Sequence, residues 1–275
     1  MKNLVILFLV LFPGPAFNQS RNVNELLSLQ PSSINYKPEI QNYNVTLKWQ
    51  NLDAINGNKF NCNTVKALFT VDLPGDSVRW NNVRLDFATD FNQKEFDGKE
   101  LPGFDYFTYK GVNMDFLRVD FYKKLPAEHI DIARWLVSDA IQMKGLAWYV
   151  FDSMRYKKEF IPKVLTNSDI KFENWVTFSS RYQKLTWSSI AEYNNEICAV
   201  VQFQSLYNPL EINNATTKLK GRSLYWGEMW ISLKDKQVEY AIMYEDVVFK
   251  LKSDNFPQEQ LIDLQRVVNF EKVKP

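Results

Sequence analysis

Histidine is almost absent from this 275-residue chain, and its scarcity excludes more chemistry than any motif present suggests. His129 is the single histidine, so a Ser-His-Asp or Cys-His mechanism would have to run through it. It lies between Glu128 and Asp131 at the start of an amphipathic stretch, where a solvated side chain is expected. One histidine and two distant cysteines supply no zinc cluster. No D-x-D-x-D-G run offers a calcium loop. The nine glycines occur singly, with neither G-x-G-x-x-G nor G-x-x-x-x-G-K, so no phosphate-cradling loop is expected. Charge of one sign is lacking too: 33 basic residues face 32 acidic ones, and a net charge of +1 argues for neither a nucleic acid nor an acidic membrane. Neither a cofactor, a metal nor a catalytic residue is therefore expected, and no reaction is legible.

Long apolar runs are missing after the first twelve residues. The richest candidate, Ile130 to Phe151, is interrupted by Asp131, Arg134, Asp139 and Lys144, so an integral membrane protein is not expected. The chain begins Met1-Lys2-Asn3, continues uncharged from Leu4 to Phe12, and reaches Gly14 and Ala16. A positive start, an apolar run too short to span a bilayer and small residues at the end predict a signal peptide over 1–16. Export to the periplasm or beyond the cell follows. Residues 17–42 are mostly polar, with Pro31 and Pro38, and read as a loosely ordered leader to a single β-rich domain over 43–275.

That domain is rich in aromatics, with eight Trp, thirteen Tyr and twenty Phe, a composition that suits strands and large cores. Val45, Leu47 and Trp49 alternate with polar residues, and Thr64 to Leu73 and Ser77 to Thr89 continue as a meander. Phe104 to Tyr122 is strand-like. A helix is predicted over about 126–144, with Pro126 in its first turn, Ile130, Ala133, Val137 and Ile141 as its apolar stripe, and an end near Lys144-Gly145. Trp175 to Ile190 and Glu196 to Leu206 read as paired strands, ended by Asn208-Pro209. Leu219 to Leu251 forms a long hairpin turning at Lys234 to Lys236, its return arm offering Val238, Tyr240, Ile242 and Tyr244 as one apolar face. Leu261 to Lys274 reads as a helical turn or an edge strand. The fold class is α+β and β-dominated, a long antiparallel meander curled into a half-barrel or open barrel with one main helix packed on it.

Trp226, Glu228, Trp230 and Ser232 share one side of the hairpin, and Trp80, Trp175 and Trp187 fall on neighbouring predicted strands. A sheet covered by a helix on one face presents a polar face on the other, and these residues are not polar enough for that: either the sheet curls into a partial barrel with both faces covered, or it exposes an aromatic-lined groove to a ligand. Trp226, Trp230, Glu228, Trp187 and Trp175 are therefore the candidate ligand-binding residues of an aromatic-lined concavity. Carboxylates for a glycan or ester hydrolase are Glu228, Glu245, Asp246 and Asp152. In an oxidising compartment Cys62 and Cys198 are candidates for one disulfide, while the apolar run Ile197 to Val201 makes a buried Cys198 thiol an equal alternative.

Residues Arg222 to Val248, RSLYWGEMWISLKDKQVEYAIMYEDVV, together with the single clear helix and the exported start, resemble the bacterial lipoprotein-carrier-like (LolA-like) periplasmic proteins. The resemblance implies a curved antiparallel sheet around a helical plug and a lipid-handling role. The function expected is a non-enzymatic exported binding protein for an apolar or amphipathic, lipid-like ligand. The alternatives are a secreted carboxylate hydrolase and a structural or surface-assembly protein.

Overall fold

The computed structural model describes residues 23–37, 39–75, 77–88, 98–107, 125–126, 129–162, 168–172, 176–181, 183–213, 215–254 and 256–273. The expected signal peptide, Trp175 and most of the strand expected over Phe104 to Tyr122 lie outside these residues. Among them the chain forms one large antiparallel sheet. Its strands are β1 (Gln41–Asp53), β2 (Lys59–Leu73), β3 (Ser77–Ala88), β4 (Lys99–Glu100), β5 (Phe104–Phe107), β6 (Glu159–Phe160), β7 (Ser168–Phe172), β8 (Val176–Ser180), β9 (Lys184–Tyr193), β10 (Glu196–Asn213), β11 (Thr217–Ser232), β12 (Val238–Ser253) and β13 (Phe256–Lys272). The order is β4-β3-β2-β1-β13-β12-β11-β10-β8-β7, with β9 also on β10, so the sheet is open rather than closed into a barrel. Among the described residues two α-helices accompany it, α1 (Val23–Ser28) and the main helix α2 (Ile130–Gly145).

The meander of β1, β2 and β3 forms as its alternation predicts, with Tyr43, Val45, Leu47 and Trp49 all buried on one side of β1. Asn194 and Asn195 join β9 to β10 with φ of 55° and 67°, the left-handed conformation that the tightest hairpins need and asparagine tolerates. At the β11–β12 turn the Ser232 hydroxyl accepts from the backbone amides of Lys234 and Asp235 at 3.1 and 3.4 Å. That local bond sets the turn where alternation stops.

Four expectations need correction. The stretch read as a helical turn or edge strand is β13, which pairs β12 on one side and β1 on the other. Its alternation of Ile262, Leu264, Arg266 and Val268 is broken by a charge on the covered face, which obscures the strand signal. Second, β10 does not stop at Asn208-Pro209. It carries a bulge between Ser205 and Asn208 and runs on to Asn213, Pro209 falling where β9 hands over to β8 as its neighbour. Third, Val238 is buried in the core as its face predicts, but past the irregularity between Trp230 and Ile231 the return arm turns its other face inward. Ala241, Met243, Val247 and Phe249 are buried, while Tyr240, Ile242 and Tyr244 stand opposite Trp230, Glu228 and Trp226 on the outer side. Fourth, α2 is the main helix expected, but its buried stripe is Ile132, Ala133, Leu136, Val137, Ala140 and Met143, which keeps Ala133 and Val137 of the expected stripe and replaces Ile130 and Ile141. The α-helix ends at Gly145, where its end was expected, but the chain does not turn away there: Gly145 keeps a helical φ of −60°, and the path continues through a π-turn at Leu146–Val150 and a 3-10 turn at Phe151–Ser153.

The core lies between the sheet and α2. Leu136, Met143, Leu146 and Phe151 meet Leu47, Phe69, Trp80, Met229 and Phe270 there, and Phe69 stacks on Trp80 at 4.3 Å between ring centroids. Leu26 and Ile34, from the segment read as a leader, are buried in the same cluster. The side of the sheet under α2 is called the helix-facing side below, and its reverse the outer side.

Candidate functional site

The long strands outrun the helix. With 16 residues, α2 is about 24 Å long, and the helical path on to Ser153 extends it to about 36 Å at most. Strands β10 to β13 hold 18, 16, 16 and 17 residues, about 53 to 59 Å each. Whatever its inclination, the helix leaves part of these strands to other contacts.

Along the helix-facing side of these strands the character changes twice. At one end lie the core residues Met229, Ala241, Met243, Val268 and Phe270. A polar stripe follows. Arg266 on β13 donates to Glu245 on β12 at 2.5 Å and to Asp139 on α2 at 2.7 Å. The Ser223 hydroxyl on β11 donates to Glu245, and Asn208 on β10 donates through its side-chain amide to the Ser223 carbonyl at 3.1 Å. Beyond the stripe the face becomes apolar again. Val247, Phe249 and Ile262 form a second cluster, with the half-buried Leu210, Leu219, Leu251 and Leu264 packed on it. This floor is about 15 Å wide across its four strands.

The electrostatics of the stripe follow from burial. Asp139 is almost completely enclosed, which pushes its carboxyl up from the usual range although Arg266 pulls it down. Burial works against the Arg266 cation, but Asp139 and Glu245 together hold it protonated above the ordinary arginine range. Two carboxylates share one guanidinium, so a proton on Asp139 neutralises the group. Its Oδ1 atom has no hydrogen-bond partner among the described residues. The Trp135 ring lies 5.9 Å from the Arg266 guanidinium and meets Trp49 edge-on at 4.9 Å, walling the stripe toward the core.

The residues singled out from sequence do not share one wall. Trp226, Glu228 and Trp230 lie on the outer side of β11. There Trp226 stacks on Tyr244, Trp230 packs against Tyr193, and the Trp230 indole donates to Glu228 at 3.0 Å. Trp187 is on the helix-facing side and fully buried, edge-on to Phe151 and Tyr156. Trp175 is outside the described residues. The stripe and floor are not legible in the sequence, because their members are spread over β10 to β13. Their signal was the charged Arg266 and Glu245 within otherwise apolar alternations.

The carboxylate candidates do not converge either. Glu245 is held by Arg266 on the helix-facing side, Asp152 pairs with Lys236 at 2.5 Å, and Glu228 and Asp246 are outer. Glu228 and Asp246 are about 14 Å apart along their strands, beyond the spacing glycosidases use. His129, expected to be solvated, is buried beside Val83, Leu101 and Ile132 at a cavity of about 10 Å³, room for one water. Its segment folds against β3 instead of facing solvent. Among the described residues no cluster of His, Cys, Asp or Glu can hold a metal ion, and no helix is long and apolar enough to cross a membrane.

Of the two readings of the cysteines, the disulfide is corrected and the buried thiol stands: Cys62 and Cys198 are buried free thiols. Cys62 lies on β2 and Cys198 on β10, five strand positions apart, about 24 Å across the sheet. A disulfide requires Cα atoms within about 7 Å. No family model matches this chain, and neither does any curated protein.

Proposed function

We propose that the chain is an exported, non-enzymatic binding protein that carries an apolar or amphipathic, lipid-like ligand on the floor formed by β10 to β13. The observation that carries this reading is the second apolar cluster, set apart from the main core by the Arg266–Glu245–Ser223 stripe. A core built only for stability gains nothing by placing buried charges across its middle, since such pairs return little net stabilisation. An amphipathic ligand has a use for both parts: its chain covers the leucines, and its polar end meets the stripe. The neighbourhood of Asp139 Oδ1 favours a ligand whose polar end includes a hydrogen-bond donor. The aromatic ligand wall expected around Trp226 and Trp230 is replaced in this reading by an aliphatic one.

The test is titration with a fluorescent long-chain fatty alcohol, alongside native mass spectrometry of the purified protein. Binding is expected, and Leu219→Asp or Leu251→Asp should weaken it about tenfold or more, because each change removes roughly 1.5–3 kcal/mol of apolar contact. Variants that bind as the wild type does, or a wild type that binds no probe and carries no adduct, would overturn the proposal.

A further inference from the structure

We propose that the outer side of the β11–β12 hairpin docks this protein on the headgroup surface of an anionic lipid bilayer. The near-neutral balance of the whole chain conceals a local concentration of charge. Lys218 stands directly opposite Lys252, and Lys220 directly opposite Lys250, with Arg222 next along β11. All five are exposed. Like charges facing each other across an antiparallel pair repel, and here two such pairs are consecutive on one face. The acids nearby cancel them only in part: Glu211 on β10 faces Lys220 and Glu259 holds Lys250 at 2.9 Å, while Asp246 and Asp263 stand further along, opposite Leu224 and Val248, leaving Lys218 and Lys252 at the end of the hairpin without an acid directly opposite. Among the described residues no hydrogen bond or ion pair engages the side chains of Lys218, Lys220, Arg222 or Lys252.

Next to this basic zone the same side carries exposed apolar surface. Trp226 and Tyr244 stack at 5.8 Å with 16° between their planes, and are 38% and 39% exposed. The β10 bulge adds Leu206 and Tyr207, 51% and 50% exposed, at the level of Leu224. Lysines that reach anionic headgroups, beside Trp and Tyr rings that seek the boundary between water and hydrocarbon, are the pair of features a membrane surface rewards. Single-stranded nucleic acid also uses cations and rings, but it needs open ring faces. Here Trp226 and Tyr244 each cover one face of the other, and Leu206 offers a base nothing.

This surface is on the reverse of the apolar floor and does not depend on it. The experiment is co-sedimentation of the full chain with vesicles of phosphatidylglycerol mixed with phosphatidylcholine, against vesicles of phosphatidylcholine alone. Binding is expected only to the mixed vesicles and should fade at high salt. The double variant Lys220→Glu with Lys250→Glu should bind about tenfold or more weakly, and Trp226→Ala should weaken binding without altering the salt dependence. Both changes are at exposed positions, and thermal unfolding like that of the wild type certifies their fold. Leu219→Asp, which addresses the floor, should sediment as the wild type does. Equal sedimentation with both vesicle types, indifference to the lysine changes, or displacement from the vesicles by a single-stranded oligonucleotide would overturn the proposal.

Discussion

Arg266 is the residue on which the helix-facing side turns. It connects α2 to β12 through two carboxylates and lies beside Trp135, so one side chain joins elements far apart in sequence. Replacing it with methionine keeps most of the volume but leaves Asp139 and Glu245 without their cation. Breaking a buried pair from one side costs about 3–5 kcal/mol, and urea denaturation of Arg266→Met at neutral pH should show a loss of that size. The sign of its pH dependence follows from Asp139, whose folded carboxyl is already raised by burial and will rise further without Arg266. Stability linked to a raised carboxyl is complete below its unfolded value and is lost as pH rises through the folded one. The deficit of Arg266→Met should therefore be smaller near pH 4 than at pH 7; a deficit that does not change with pH would contradict this account.

Among the elements, β11 shows why a strand's pattern is read more easily than its packing. Its alternation is plain in the sequence, but Gly227 interrupts the buried series between Tyr225 and Met229. The structure explains the gap. A Cβ at Gly227 would come within 2.0 Å of the Ile242 carbonyl oxygen and 2.7 Å of Phe203 Cζ, so the Phe203 ring occupies the place of the missing side chain. The ring can shift but the backbone carbonyl cannot. Gly227→Ala is expected to lower stability by about 1–3 kcal/mol, the usual penalty of overpacking, as measured by chemical denaturation. In β12 the period was legible and its sidedness was not. Tyr240, Ile242 and Tyr244 are apolar enough to be taken for the inward set, yet Glu245 belongs to the inward face because Arg266 waits there. A charge that finds its partner on another strand defeats any reading of one strand alone. The bulge in β10 had a similar effect at Asn208, whose side chain receives the Ser205 hydroxyl and the Arg181 backbone amide, turning an apparent strand end into an internal joint.

For the whole molecule, the strand order determines which distant residues can meet. It brings β1 beside β13, places the two cysteines five strands apart, and gathers stripe and floor from four consecutive strands. Burial pushes the Cys198 thiol up, so neither reactivity nor pairing is expected in the folded state. A thiol-reactive dye should label no cysteine in the native protein and both in denaturant, and reductant should leave the unfolding midpoint unchanged. A midpoint that falls on reduction would mean a strand order different from this one.

Alternation, helical spacing and turn chemistry are properties of neighbouring residues, so the β-dominated class, the existence of most strands, the main helix and the hairpin turn can all be read from the chain before it folds. Long-range packing is what settles which face of each strand is covered, that β13 is central, that the cysteines stay apart, and that Arg266 meets both Glu245 and Asp139. A period of two defines two faces without saying which is inside. That choice belongs to pairings such as Val45 with Phe270, whose partners lie at opposite ends of the chain and carry no mark of one another.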